Sequence, residues 1–230
     1  MTNSKIPGIS AEAALSGIAA VSAAAFAVLS SKTREPRNVL GDLKLRNRLP
    51  AYSRGTKEAV TPFGYLGKEW SVLSAAGLLG TKLAIDGSIP GAAAVVASTL
   101  GGIAASHIFD AVLPQRTPPP GRRAPFDPHF PSGHALHSAS LIGTSAWVLS
   151  REGKGDRRII VAAAAALTAA LGVDRLLQDR HWSSDVAGGW LAALTITALA
   201  SAGYEVAMKR GPAKKGRART PHRPARKGKR

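Results

Sequence analysis

Long apolar runs recur along this chain, at about 70–84, 91–113, 133–150, 158–177 and 186–208, separated by short breaks rich in Gly, Pro or charge. A sixth, weaker stretch lies at 9–30. Most approach the length a helix needs to cross a bilayer. Hydrocarbon admits only helices or closed barrels, and no ten-residue alternation of a barrel strand is visible. The pattern therefore predicts an all-α polytopic membrane bundle of five or six spans. A soluble all-α core with buried apolar helices is the alternative, since Ala-rich runs score low on insertion scales. The 9–30 stretch carries Glu12 and an Ala25-Phe26-Ala27 triplet, so it reads either as a first span or as a signal peptide with a small-residue cleavage site.

Charge is distributed unevenly. The 230 residues hold 31 Lys and Arg against 14 Asp and Glu, a net charge of +17, although 45% of residues are apolar. Eleven of those cations fall in residues 209–230, which contain no acid. That tail is studded with Gly and Pro and is predicted to be disordered. A basic tail beside a span reads as a cytoplasmic topology anchor near anionic headgroups. It has no aromatic residue to stack on a base, which argues against a nucleic-acid partner. Residues 31–64 are polar and basic, broken by Pro36, Pro50, Gly55 and Pro62, and read as a connection or a surface helix. The chain thus divides into an N-terminal segment 1–64, a membrane-embedded domain 65–208 and a tail 209–230. There is no cysteine, which excludes disulfides, thiolate chemistry and Cys-ligated zinc.

Two clusters hold most of the informative polar groups. Pro131-Ser132-Gly133-His134 opens the run 133–150. A helix start with a hydroxyl, a glycine and unsatisfied backbone N–H groups attracts an anion, though an ordinary Ser N-cap would explain it equally well in isolation. The second cluster is Arg175, then five residues, His181, then three residues, Asp185. If the chain is helical from 181 onward, His181 and Asp185 share a face. The carboxylate can then fix one ring nitrogen and leave the other for attack. Upstream, Arg116 and Arg123 flank a proline-rich stretch, where forked guanidiniums suit phosphate oxygens or a solvated basic loop.

These residues resemble the type 2 phosphatidic acid phosphatase superfamily, which includes lipid phosphate phosphatases, bacterial nonspecific acid phosphatases and vanadium haloperoxidases. Its pattern is Lys, six residues, Arg-Pro; then Pro-Ser-Gly-His; then Ser-Arg, five residues, His, three residues, Asp. The second motif is intact at 131–134. The third matches at Arg175, His181 and Asp185, with Asp174 where the family has Ser. The first is degenerate: Arg116 replaces Lys and Ala124 replaces the Pro after Arg123. The resemblance implies an acid phosphatase/haloperoxidase-like helical core. It implies that His181 is a nucleophile forming a phosphohistidine, that Asp185 orients it, and that His134 protonates the leaving oxygen and then activates water. It further implies that Arg123, Arg175, Ser132 and Gly133 hold the phosphoryl oxygens, with Arg116 in the Lys role. No metal and no cofactor are expected. Asp174 is expected to weaken anion binding at Arg175 unless it pairs with Arg180 or faces away.

Other histidines have simpler readings. Asp127, His129, His134 and His137 lack a recognisable metal-ligand spacing. His107 reads as a packed or hydrogen-bonded side chain, and Trp182 and Trp190 as anchors at the headgroup layer.

If spans alternate, the loops 114–132 and 177–185 share one face, as a single site requires. The 151–158 loop and the tail share the other, which the positive-inside rule makes cytoplasmic. Eight Lys and Arg in 31–64 stand against that orientation. The expected activity is metal-independent release of phosphate from a membrane lipid phosphate or prenyl diphosphate at the extracytoplasmic face. A catalytically inert scaffold of the same fold and a vanadate-dependent haloperoxidase are the alternatives.

Overall fold

The structure, a computed structural model, describes residues 9–33, 39, 41–49, 54–114, 116 and 130–210. The basic tail beyond Arg210 lies outside the described residues, as does Arg123. Among those described, every regular element is helical: α1 (Ala11–Thr33), α2 (Asp42–Arg46), α3 (Arg54–Gly64), a 3-10 turn (Tyr65–Gly67), α4 (Glu69–Ile85), α5 (Ile89–Val112), α6 (Gly133–Arg151), α7 (Arg157–Leu177) and α8 (Ser183–Arg210).

Four helices are long and apolar enough to cross a membrane: α1, α5, α7 and α8, of 23, 24, 21 and 28 residues. That falls short of the five or six read from the sequence. Helix α4 has 17 residues and is too short by that measure. Helix α6 is long enough but carries two His and four Ser, because it is the central helix and buries those groups against neighbours. A helix surrounded by protein needs no uniformly apolar surface.

Small side chains set the packing. Helix α1 lies along α8, where Leu15 and Ala19 meet Ala198 and the hydroxyls of Ser22 and Thr195 are 2.9 Å apart. Helix α6 packs against α5, α7 and α8. Close approach of helices is the main source of association where lipid removes the hydrophobic difference. Backbone itself comes close in the second turn of α8. A Cβ on Gly189 would sit 2.8 Å from the Ser132 carbonyl oxygen and 3.0 Å from the Ala135 methyl.

The bundle has two polar ends. At one end, Arg151 and Trp147 both reach the buried carboxylate of Glu205, at 2.6 and 3.1 Å, and Lys209 pairs with Glu12. Lys154 and Lys82 reach Asp86 at 2.7 and 2.5 Å, tying the α6–α7 loop to the α4–α5 turn. Their hydrogen bonds, that of Lys154 first, hold the Asp86 carboxyl well below the usual carboxylate range, at about 2. Asp156 caps α7 by accepting from the amide of Arg158 at 2.7 Å. The opposite end gathers the C-termini of α1, α5 and α7, the N-termini of α4, α6 and α8, and the short helix α2. Every sequence-predicted site residue within the described part lies there.

Gly189→Val is expected to lower the thermal denaturation midpoint in detergent through overpacking worth about 1–3 kcal/mol. Gly203→Val, where nothing lies within 4 Å, should leave it unchanged. Equal midpoints for the two variants would contradict the close α6–α8 approach.

Candidate active site

The Pro131-Ser132-Gly133-His134 segment turns the chain into α6. Ser132 is the N-cap, completely buried, and its hydroxyl accepts from the Ala135 amide at 3.5 Å. Its own amide donates to the carbonyl of Asp185 at 2.9 Å. This backbone bond joins the second motif to the third, where α6 and α8 approach closely.

His181 and Asp185 meet in a different way from the one the spacing suggested. Helix α8 begins at Ser183, so His181 lies in the turn before it and the two do not share a helical face. Asp185 occupies the third helical position, and its Oδ2 reaches back to accept the Trp182 amide at 2.9 Å, the acidic half of a capping box. The same oxygen lies 3.5 Å from His181 Nδ1. That is longer than a tight hydrogen bond, as is common before substrate draws such a pair together. Because Nδ1 faces the carboxylate, Nε2 is the nitrogen left for chemistry. His181 and Asp185 are both buried.

Arg116 sits in the same buried cluster. Its Nη1 donates to Asp185 Oδ1 at 2.5 Å and to Ser184 Oγ at 2.8 Å, and its Nη2 donates to Asp42 Oδ2 at 3.1 Å. Asp42 opens α2 and is only 2% exposed. Its Oδ1 accepts from the Ser183 hydroxyl at 2.6 Å and the Ser184 amide at 2.8 Å, and its Oδ2 accepts from the Ser184 hydroxyl at 2.6 Å. One helical turn on, Arg46 pairs with Asp179 at 2.6 Å. Asp179 has a φ of 55°, the left-handed conformation that Asp tolerates better than most residues. Two charged contacts from α2 thus hold the loop that carries His181.

Arg175 is buried at the end of α7 and bonds its neighbour Asp174 through Nε at 3.0 Å and also through Nη2. Asp174 thus stands against Arg175, the placement expected to weaken anion binding there. It also accepts from Gln178 Nε2 at 2.7 Å, while Arg180 Nε donates to Gln178 Oε1 at 3.1 Å.

Two glycines bring the α3 segment over the site. A Cβ on Gly64 would collide with the Arg175 guanidinium, and one on Gly67 would lie 3.0 Å from His134 Cδ2. Asp42, Gly64 and Gly67 were all missed from sequence, where they lie in the basic connection and at its edge. Of the expected site residues, His134, Ser132, Gly133, Arg116, Arg175, His181 and Asp185 gather at one end of the bundle, and Arg123 lies outside the described residues. Asp127 and His129 also lie outside. His137, one turn below His134, is buried with neither ring nitrogen hydrogen-bonded. His107 makes a partnered contact as expected, 3.1 Å from Glu69.

A cavity lies elsewhere in the bundle. A groove of about 960 Å³ runs between α1, α6, α7 and α8, lined mainly by small apolar residues including Leu15, Gly143, Ala165 and Ala193, with Trp190 among them. Its upper lining residues, Ala139, Ala169 and Trp190, stand five or six positions from His134, Arg175 and Asp185 on their helices. At 1.5 Å per residue that is about 8–9 Å below the site.

Comparison with known proteins bears on the fold and the family. A solved structure, the crystal structure of the first transmembrane PAP2 type phosphatidylglycerolphosphate phosphatase from Bacillus subtilis, superposes with a TM-score of 0.71 at 16% identity, covering 84% of this chain and 98% of that one. At that identity the likeness concerns the fold. No curated protein matches the sequence. The model of the PAP2 superfamily matches residues 89–209, which take in α5, α6, α7 and nearly all of α8, with the intact second motif and the third motif that has Asp174 in place of Ser. With more than half of the chain matched and four helices apolar enough to cross a bilayer, this is a multi-pass membrane protein belonging to the PAP2 superfamily.

Proposed function

We propose that this membrane phosphatase of the PAP2 superfamily removes phosphate from a lipid phosphate or prenyl diphosphate through a phosphohistidine on His181. The observation that carries the reading is the 2.9 Å bond from the Ser132 amide to the Asp185 carbonyl. It supports one anion site bordered by His134 on one side and His181 on the other.

In the first step His181 Nε2 attacks phosphorus, the P–O bond to the leaving alcohol or phosphate breaks, and His134 gives its proton to the departing oxygen. In the second, His134 takes a proton from water, the water oxygen attacks phosphorus, and the N–P bond breaks to release inorganic phosphate. Asp185 holds His181 Nδ1–H throughout. Arg175, Arg123, the Ser132 hydroxyl and the Gly133 amide serve the phosphoryl oxygens, whose charge grows in the transition state. Because Arg175 also donates to Asp174, its pull on a phosphoryl oxygen is weaker than that of an unpaired guanidinium.

The groove supports a lipid as the substrate. It begins about a turn and a half below the site residues and is lined chiefly by Ala, Gly and other small residues along α6, α7 and α8. An acyl or prenyl chain fits such a volume, while a soluble sugar phosphate has no use for it. Helices α4 and α6 would then cross as well, giving six passages, since each helix in chain order starts at the end where its predecessor stops. Helix α4 at about 26 Å fits a locally thinned or tilted bilayer. The Arg151, Lys154, Arg157 and Arg158 loop and the tail face the cytoplasm, and the site faces outward. Residues 65–208 make up the catalytic domain, with the N-terminal segment packed onto it.

Purified protein should release phosphate from a lipid phosphate in chelator-treated buffer, and His181→Ala should lower the rate by about a thousandfold or more. His134→Ala should cost about 10²–10⁴-fold. Full activity in the His181 variant would end this assignment. The groove has its own test. Ala165→Phe should reduce kcat/KM for a long-chain lipid phosphate about tenfold, in line with a lost chain pocket worth 1–3 kcal/mol, while sparing a short water-soluble phosphate ester. Equal losses on both substrates would separate the groove from substrate binding.

A further inference from the structure

The sequence puts Arg116 in the place of a phosphate-binding Lys, yet its buried guanidinium is engaged by Asp185, Ser184 and Asp42. The Ser184 hydroxyl accepts from Arg116 and donates to Asp42, so the three residues and Asp185 form a continuous hydrogen-bonded chain. Asp42 is not part of any motif. It comes from the connection after α1, 74 positions before Arg116. Asp42 and His181 also border the same small cavity of about 10 Å³, together with Trp182 and Ser183.

Charge explains why two carboxylates are needed. Asp185 must present negative charge to His181 so that its ring is oriented and the cationic phosphohistidine is stabilised. A lone Arg116 at 2.5 Å from Asp185 Oδ1 would cancel most of that field. A second carboxylate on the far side of the guanidinium restores it, leaving one net negative charge over the three groups. Ser183 and Ser184 donate to both oxygens of Asp42, so its buried carboxyl group is satisfied.

We infer that Asp42 and Arg116 are positioning residues for the His181 nucleophile: Arg116 fixes the Asp185 carboxylate, and Asp42 fixes Arg116 while offsetting its charge. The inference rests on the reading of His181 as nucleophile. Other charged groups near His181 are Asp110 from α5, Asp174 and Arg175 from α7, the Arg46–Asp179 pair, Arg180 and His134. All are unaltered in the comparison that follows.

The test is the pH dependence of kcat/KM for lipid phosphate hydrolysis in four forms: wild type, Asp42→Asn, Arg116→Gln and the double variant, with His181→Ala as control. Attack needs an unprotonated ring, so the acid limb of the profile follows protonation of the nucleophile. Removing the Asp42 charge disfavours the protonated ring and should move that limb about 0.5–1 pH unit lower. Removing the Arg116 charge should move it higher by a similar amount, and the double variant should return close to wild type. Each single variant should lower kcat by roughly 10–100-fold, as for a misplaced nucleophile, with KM changed less than twofold. If Asp42→Asn cannot be purified as a monodisperse protein, the upward shift in Arg116→Gln alone decides. Limbs that stay fixed or move together, or an Arg116→Gln effect confined to KM, would overturn the inference. An active His181→Ala would instead overturn the reading beneath it.

Discussion

The amide of Ser132 and the carbonyl of Asp185 are joined by one backbone hydrogen bond, and the arrangement of the site depends on it. Both groups belong to helix beginnings, where backbone donors have no partner inside their own helix. Joining two such ends brings two positive dipole termini to one place, which favours an anion between them. Gly189 permits the approach, because any side chain there would meet the Ser132 carbonyl. The anion site proposed here would therefore be a product of helix packing, with loops serving mainly to deliver side chains to it.

Polar groups buried at the edge of a bilayer are costly unless paired, and this end of the bundle pairs them densely. Asp42, Asp185, Arg116 and Ser184 satisfy one another, Asp174 holds Arg175, and Arg46 holds Asp179. Such a network resists distortion, which benefits a reaction that needs a ring nitrogen in line with a phosphorus atom. The opposite end uses a separate set of pairs around Glu205 and Asp86. Between them lie small side chains and the groove, whose charged lining residues, Arg151 and Arg157, stand at the end away from the site.

The parts of this arrangement that the sequence discloses are those encoded locally. His134, Ser132 and Gly133 are contiguous, and His181 and Asp185 are separated by a fixed short spacing, so their partnership is visible before any fold is known. The spacing was nonetheless assigned to a helical face, whereas Asp185 reaches back from α8 to a turn, a capping geometry that has the same separation. Asp42 could not be found in this way. Its partners lie 74 and 142 positions away, and a single acid in a basic connection carries no periodicity. Gly64 and Gly67 contribute only by having no side chain. Helix α6 was counted as a span from its length, but it is too rich in Ser and His to meet the same measure as α1, α5, α7 and α8, because protein surrounds it.

If phosphate passes through His181, as proposed, direct trapping will reveal it. Protein incubated briefly with a labelled lipid phosphate, quenched in alkali and cleaved into peptides, should carry an alkali-stable, acid-labile label on the peptide containing His181, and more of it when His134 is replaced by Ala. Label on Ser132 or another residue, or turnover with no labelled intermediate at any time point, would contradict it.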